Sequence, residues 1–199
     1  MVKKLAIVVD CQYDFINENG TLYVPGGKDA CFSISEFISE MDGVVFTVDW
    51  HPVEHCSFEE NGGQWSIHCV NYSRGASIPY FLLLPVRNKP TTFLHKGTNP
   101  NVEEYGAFEN NEENCTKLAK WLRTNFGAER EIDVYVCGVA GDYCVINTVK
   151  SFMCVKPKQI RNVFVIKDLC PCIDTSFDLG AACNECGVQT VMSNEIVDK

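Results

Sequence analysis

The sequence predicts an α/β fold: a parallel sheet covered by helices on both faces. Two observations predict it. Short, apolar, β-rich runs alternate with segments of helical spacing along the whole chain, the pattern of strands linked by crossover helices. In addition, four of those runs stop at a residue equipped for chemistry. An open parallel sheet binds its ligands there, in the crevice outside the carboxyl ends of its strands.

The elements follow in order. Residues 5–9 form a first strand, which ends at Asp10. Residues 29–41 carry Phe32, Ile34, Phe37, Ile38 and Met41 at helical spacing. Residues 44–48 are a second strand that meets Asp49, with His51 two places on. Residues 50–90 are irregular and rich in Pro and Gly, and a connection this long in a compact protein is usually functional. Residues 91–95 are a third strand that runs into Lys96. Residues 114–125 read as a helix through Leu118, Trp121 and Leu122, stopped near Gly127. Residues 132–136 are a fourth strand, followed by a short turn to Cys144 and a helix over 142–152 with Asp142 as its N-cap. A fifth strand over 162–166, a helix over 176–186 closed by Gly187, and a sixth strand over 188–192 complete the pattern. No repeat, low-complexity tract or linker interrupts it, so one domain spanning 1–199 is expected.

Composition narrows the function. A hydrophobic content of 46% with 22% charged residues is that of a globular chain able to bury a core. The net charge of −9 disfavours nucleic acid and anionic membrane surfaces as partners. No apolar stretch approaches the roughly 18 residues that span a bilayer. The apolar run after Lys3 and Lys4 meets Asp10 too soon for a signal peptide. Twelve cysteines without an export signal point to reduced thiols in the cytoplasm. The pairs Cys170/Cys172 and Cys183/Cys186 are read as core or surface thiols.

Chemistry is concentrated at the strand ends. Cys144 sits in a strand-to-helix turn, where free N–H groups and the helix dipole favour a thiolate and could hold an oxyanion. A thiol nucleophile needs a proton acceptor, which Asp10 could supply, and a nearby cation such as Lys96 lowers its pKa. Asp49-Trp50-His51 places two metal-ligand types on one side of an extended segment. His55 and His68 follow, so three of the four histidines fall within residues 51–68. An Asp/His/His set suits one divalent ion, zinc first, with iron and manganese also fitting. His55 is the weakest ligand candidate and suits a supporting role. Phe15 and Trp65 lie in loops that would cover the strand ends and could form a slot for a flat ligand. No phosphate-binding glycine loop is present.

Five segments together resemble the isochorismatase-like hydrolase superfamily, and within it the nicotinamidase (pyrazinamidase) family. They are Val8-Val9-Asp10-Cys11-Gln12-Tyr13-Asp14-Phe15 with Val24-Pro25-Gly26-Gly27; Asp49-Trp50-His51-Pro52 with His55, Ser57 and Phe58; Trp65-Ser66-Ile67-His68-Cys69-Val70; His95-Lys96-Gly97 with Tyr105-Gly106-Ala107-Phe108; and Gly138-Val139-Ala140-Gly141-Asp142-Tyr143-Cys144-Val145. The resemblance implies a Rossmann-like three-layer α/β/α fold with a six-stranded, mainly parallel sheet. It implies hydrolysis of nicotinamide to nicotinate and ammonia through a cysteine thioester, in NAD salvage. It makes Asp10, Lys96 and Cys144 the catalytic set, and Asp49, His51 and His68 the metal ligands. Phe15, Trp65, Tyr105 and Ala140 become substrate contacts. The N–H groups of Ala140 and Cys144 become the oxyanion hole, next to a cis Val139–Ala140 bond. Small-molecule substrate and a possible homo-oligomer are the partners expected.

Two features depart from the family pattern. Gly141 stands where a larger residue is common, which would loosen the turn. The apolar stretch 80–84 reads as an interface or a lid. Three other functions compete: a related amidase acting on another small amide, a non-catalytic binding protein on the same fold, and a hydrolase using metal-bound hydroxide. The last would not need Cys144.

Overall fold

The computed structural model describes residues 1–197. Six strands, β1 (Lys3–Val9), β2 (Gly43–Asp49), β3 (Thr91–Lys96), β4 (Ile132–Gly138), β5 (Ile160–Ile166) and β6 (Gln189–Val191), form one sheet in the order β3-β2-β1-β4-β5-β6. Every pairing is parallel. All seven residues of β2 and all seven of β4 are buried, so the inner strands are covered on both faces. Each apolar run of the sequence became a strand, shifted by a few residues at its ends. Lys96 is the last residue of β3 rather than the first beyond it.

The helices are α1 (Tyr13–Ile16), α2 (Gly27–Ser39), α3 (Tyr80–Leu83), α4 (Glu112–Phe126), α5 (Ile146–Val155), α6 (Leu179–Glu185) and α7 (Asn194–Val197). Helix α2 buries Ile34, Phe37 and Ile38. Its Phe32, expected in the apolar stripe, is half exposed and stacks on Phe81 at 4.7 Å. Helix α4 is capped by Asn111, whose side chain accepts from the Asn114 N–H at 3.0 Å, and Glu112 and Glu113 suit its positive end. Helix α6 starts later than expected because Asp178 caps it, accepting from the Ala181 N–H at 3.1 Å. The 80–84 stretch is no lid. Leu82 is buried, and Ser35 Oγ donates to the Phe81 carbonyl at 2.9 Å, so α3 is fastened to α2.

One expected cap is corrected. The chain leaves β4 through a wide turn, Gly141–Val145, and regular helix begins only at Ile146. Asp142 caps nothing. Its carboxylate accepts from the N–H groups of Ile173 at 3.0 Å and Asp174 at 2.7 Å, in the strap that follows β5. That strap was out of sight in a local reading.

The strand order reverses at β1. The chain winds outward through β2 and β3, then returns to place β4 on the other flank of β1. Ligand sites of open α/β sheets form at such a switch point. Asp10 follows β1, and the turn bearing Cys144 follows β4, so both lie at this crevice. Gly138 makes the meeting possible. Its φ is 127°, and a Cβ there would lie 2.6 Å from the Val9 backbone nitrogen.

Candidate active site

Asp10, Lys96 and Cys144 converge. Asp10 is fully buried and sits at φ 48°, in the left-handed region that side chains rarely adopt. Thr47 Oγ1 donates to its Oδ1 at 2.7 Å, and Lys96 Nζ lies 2.9 Å from its Oδ2. Lys96 Nζ also pairs with Asp49 and lies 3.5 Å from Cys144 Sγ. The side-chain donor atoms of Asp10, Asp49 and Cys144 all lie within 4.8 Å of one another.

The electrostatics differ from the expectation in one respect. Burial would discharge Lys96, but the Asp10 and Asp49 carboxylates outweigh it and hold the ammonium well above its ordinary pKa. Burial likewise opposes ionisation of Asp49, yet Lys96 and His51 win and hold it below the usual carboxylate range. Asp10 goes the other way: burial raises it, Lys96 offsets part, and the Asp49 charge adds to the rise. For Cys144, burial pushes the thiol well up, Lys96 opposes, and Asp10 and Asp49 reinforce the burial. The thiol is thus raised where the sequence suggests a lowered value: Lys96 is shared with two carboxylates, and the regular helix starts after Cys144, not at it.

The Asp49, His51 and His68 side chains meet beside this set. Asp49 Oδ2 lies 3.6 Å from His51 Nε2 and 3.9 Å from His68 Nε2. All three residues are buried. His51 Nδ1 is 2.9 Å from the Gly97 carbonyl, and His68 Nδ1 is 2.7 Å from the Ser66 carbonyl. Each carbonyl fixes the proton on Nδ1 and leaves Nε2 as a free donor aimed inward, the arrangement of metal-ligating histidines. One carboxylate and two imidazole nitrogens are a donor set suited to a divalent ion with positions left open. Gly97, at φ 62°, is required here, because a Cβ would run into the His51 ring. His55 is turned away from the triangle. Its Nδ1 pairs with Ser57 Oγ at 2.7 Å and its Nε2 with the Val102 carbonyl at 3.1 Å. Burial lowers its pKa to about 4, so it stays neutral while stacking on His51.

A pocket opens above these groups. It is lined by Phe15, Trp65, Tyr105, Ala140, Cys144 and the three metal-ligand candidates, together with Tyr143 and Ile173. Phe15 packs on His68 at 5.4 Å. Trp65 is set edge-on to Tyr143 at 5.0 Å, and its Nε1 donates to Tyr105 Oη at 3.0 Å. The Val139–Ala140 peptide is cis. In the turn below, the N–H groups of Tyr143 and Val145 donate to the Ala140 carbonyl, and that of Gly141 donates to Pro171 at 2.8 Å. Gly141 does not loosen the turn. The place of its missing Cβ is filled, with Cys172 Sγ at 2.6 Å and the Cys170 carbonyl at 2.7 Å.

Sequence reading passed over several supporting groups: Thr47 on Asp10, Tyr143 and Ile173 in the pocket wall, and Glu104, whose Oε2 accepts from the Gly97 N–H at 2.8 Å. The available signal was weak, a polar residue inside or beside an apolar run.

Curated proteins similar to the chain are named nicotinamidases. The chain is 34% identical to the nicotinamidase of Acinetobacter baylyi over 212 aligned residues, 96% of this chain and 93% of that one. Its fold is similar to that of an L. infantum protein solved in complex with nicotinate, with a TM-score of 0.79, 29% identity, and coverage of 97% and 94% of the two chains. It is also similar to the pyrazinamidase of Pyrococcus horikoshii solved with zinc, with a TM-score of 0.74, 33% identity, and coverage of 96% and 99%. No protein-family model matches the chain.

Proposed function

The chain belongs to the nicotinamidase family, and we propose that it hydrolyses nicotinamide to nicotinate and ammonia through a thioester on Cys144. The observation that carries this reading is the junction of Asp10, Lys96 and Cys144, the last two lining one pocket and Asp10 buried against Lys96, beside a two-histidine, one-carboxylate triangle.

Phe15 and Trp65 hold the pyridine ring from the sides, which turns an encounter into a positioned reaction. Asp49, His51 and His68 would hold a divalent ion, and when bound it supplies an electrophilic docking point for the ring nitrogen. We assign zinc, on the donor set and on the zinc found with the P. horikoshii pyrazinamidase.

Asp10 does the proton work. Its Oδ1 accepts from Thr47 and its Oδ2 faces Lys96, and the carboxylate takes the Cys144 proton as Sγ attacks the carboxamide carbon. The raised pKa of Asp10 makes it a stronger base for this step. The N–H groups of Ala140 and Cys144 receive the oxyanion, the role the family resemblance implies for them. Asp10 then protonates the departing nitrogen, the C–N bond breaks, and ammonia leaves a thioester. Asp10 next takes a proton from water, whose oxygen attacks the acyl carbon. The C–S bond breaks, the sulfur regains its proton from Asp10, and the acid leaves as nicotinate, its hydroxyl proton passing to solvent. Lys96 holds Asp10 ionised at the start of each half-reaction and steadies the transient sulfur anion.

The test is ammonia release from nicotinamide by the purified protein, with and without a chelator and with and without a thiol alkylator. Turnover that both treatments abolish is expected. Turnover that survives alkylation would overturn the thioester.

A further inference from the structure

We propose that Gln12 and Asp14 are positioning residues for the metal ligands, a proposal that rests on the metal reading above. Neither lines the pocket, and neither belongs to the donor triangle.

Beyond β1, polar side chains alternate: Asp10, Gln12, Asp14. Gln12 is fully buried. Its Oε1 accepts from the Asp49 N–H at 2.7 Å, and its Nε2 donates to the Asp49 carbonyl at 2.8 Å and the Ala76 carbonyl at 3.0 Å. Pairing of β1 with β2 stops at Val9 opposite Thr47, so the Gln12 amide stands where the next strand residue would be. On its other side Asp49 pairs with Lys96 of β3. The ligand's backbone is thus clamped from both flanks. A reversed amide would set NH₂ against the Asp49 N–H, so the clamp has one orientation.

Asp14 does the same for the second ligand segment. Its buried carboxylate accepts from the Cys69 N–H at 2.8 Å. Cys69 directly follows His68 and sits at φ 45°, a conformation that needs support in any residue but glycine. The Cys69 carbonyl in turn accepts from the His51 N–H at 3.2 Å. One carboxylate therefore braces the residue that ties His68 to His51. Gly75 leaves room for it, since a Cβ there would lie 2.7 Å from Asp14 Oδ1. A buried amide and a buried carboxylate are unfavourable unless fully bonded. Here two of Gln12's three bonds go to the Asp49 backbone, and Asp14 bonds the backbone of Cys69, next to His68, and of Thr21 at 3.4 Å.

Zinc affinity of the metal-free protein, read by competition with a chromogenic chelator, tests the proposal. Gln12→Met and Asp14→Leu are expected to weaken zinc binding by about ten- to a hundred-fold, as loss of supporting groups around a metal does. Asp14→Asn keeps an oxygen for the Cys69 N–H and is expected to stay within about three-fold of wild type, a small fraction of that loss. Leu118→Ala, in the core under α4, lowers stability without touching the site and is expected to bind zinc as wild type. If Gln12→Met does not fold, Gln12→Glu, which loses both donors, replaces it with the same expected loss. Zinc affinities of the Gln12 and Asp14→Leu variants within about two-fold of wild type would overturn the proposal, as would an equal loss in Leu118→Ala. A wild-type chain that binds no zinc would instead sink the metal reading, and this inference with it.

Discussion

The two flanks of the sheet solve different problems. On the β3-β2-β1 side, the strand ends carry charge: Asp10, Asp49, His51 and Lys96, all buried and mutually paired. On the β4-β5-β6 side, the corresponding ends carry thiols and bare backbone: Cys137, Ala140, Cys144 and Cys170. Burial holds the thiols of Cys137, Cys144 and Cys170 above their ordinary pKa. One flank is organised by ions that would be intolerable singly; the other is organised by the path of the chain. The difference teaches that Cys144 owes its special chemistry to the opposite flank. It is one buried thiol among several, set apart by lying 3.5 Å from Lys96 Nζ and beside Asp10 and Asp49.

The sharpest way to break the comparison is to remove that thiol. Cys144→Ala is expected to lower kcat/KM for nicotinamide by about 10⁴-fold or more, measured by ammonia release, with zinc content unchanged. Next comes the cation. Lys96→Met leaves two buried carboxylates facing each other, and breaking such a network costs about 3–5 kcal/mol, measurable by denaturant unfolding. A backbone perturbation tests the other flank. Gly141→Ala drives a methyl into Cys172 and the Cys170 carbonyl, an overpacking of about 1–3 kcal/mol, and Gly141→Ala with Cys172→Ala is expected to recover part of it. The smallest effect belongs at the far end of the charged flank, where Asp42 accepts from Lys3 Nζ at 2.7 Å and the Lys4 N–H at 2.8 Å. Burial raises the Asp42 pKa, but these partners and the Lys3 charge outweigh it and hold the carboxyl below its ordinary value. Its contribution is therefore complete above about pH 4 and disappears as pH falls through the lowered value. Asp42→Asn is expected to cost about 1 kcal/mol or less at neutral pH and to flatten the acid limb of the stability curve. A loss comparable to that of Lys96→Met would erase the distinction between the site and the rest of the charged flank.

Much of this was legible in the sequence because strand termini are local events. Asp10, Asp49 and Lys96 each close an apolar run, and His51 follows Asp49 at the spacing of an extended chain. Parallel topology then converts sequence position into proximity. What stayed hidden depends on partners from distant segments. Gln12 and Asp14 carry no role in the sequence by themselves, because the partners that give them one, Asp49 and Cys69, are distant in the chain. Asp142 read as a helix cap because nothing nearby announced that residues 173 and 174 would claim its carboxylate. The raised thiol of Cys144 is hidden for the same reason: a helix start and a lysine are visible in the chain, whereas burial and two flanking carboxylates are not.

The reversal of strand order at β1 also sets a timetable for folding. Asp10, Asp49, His51, His68 and Lys96 all precede residue 97, so a growing chain completes its charged flank before β4 has been synthesised. Until then β1 has one open edge, because Lys3 must wait for Ile132. Such long-range parallel pairing is slow to form and leaves a sticky edge exposed meanwhile. An ion captured by the emerging histidines would brace that half-built sheet during synthesis, before the chain reaches Cys144.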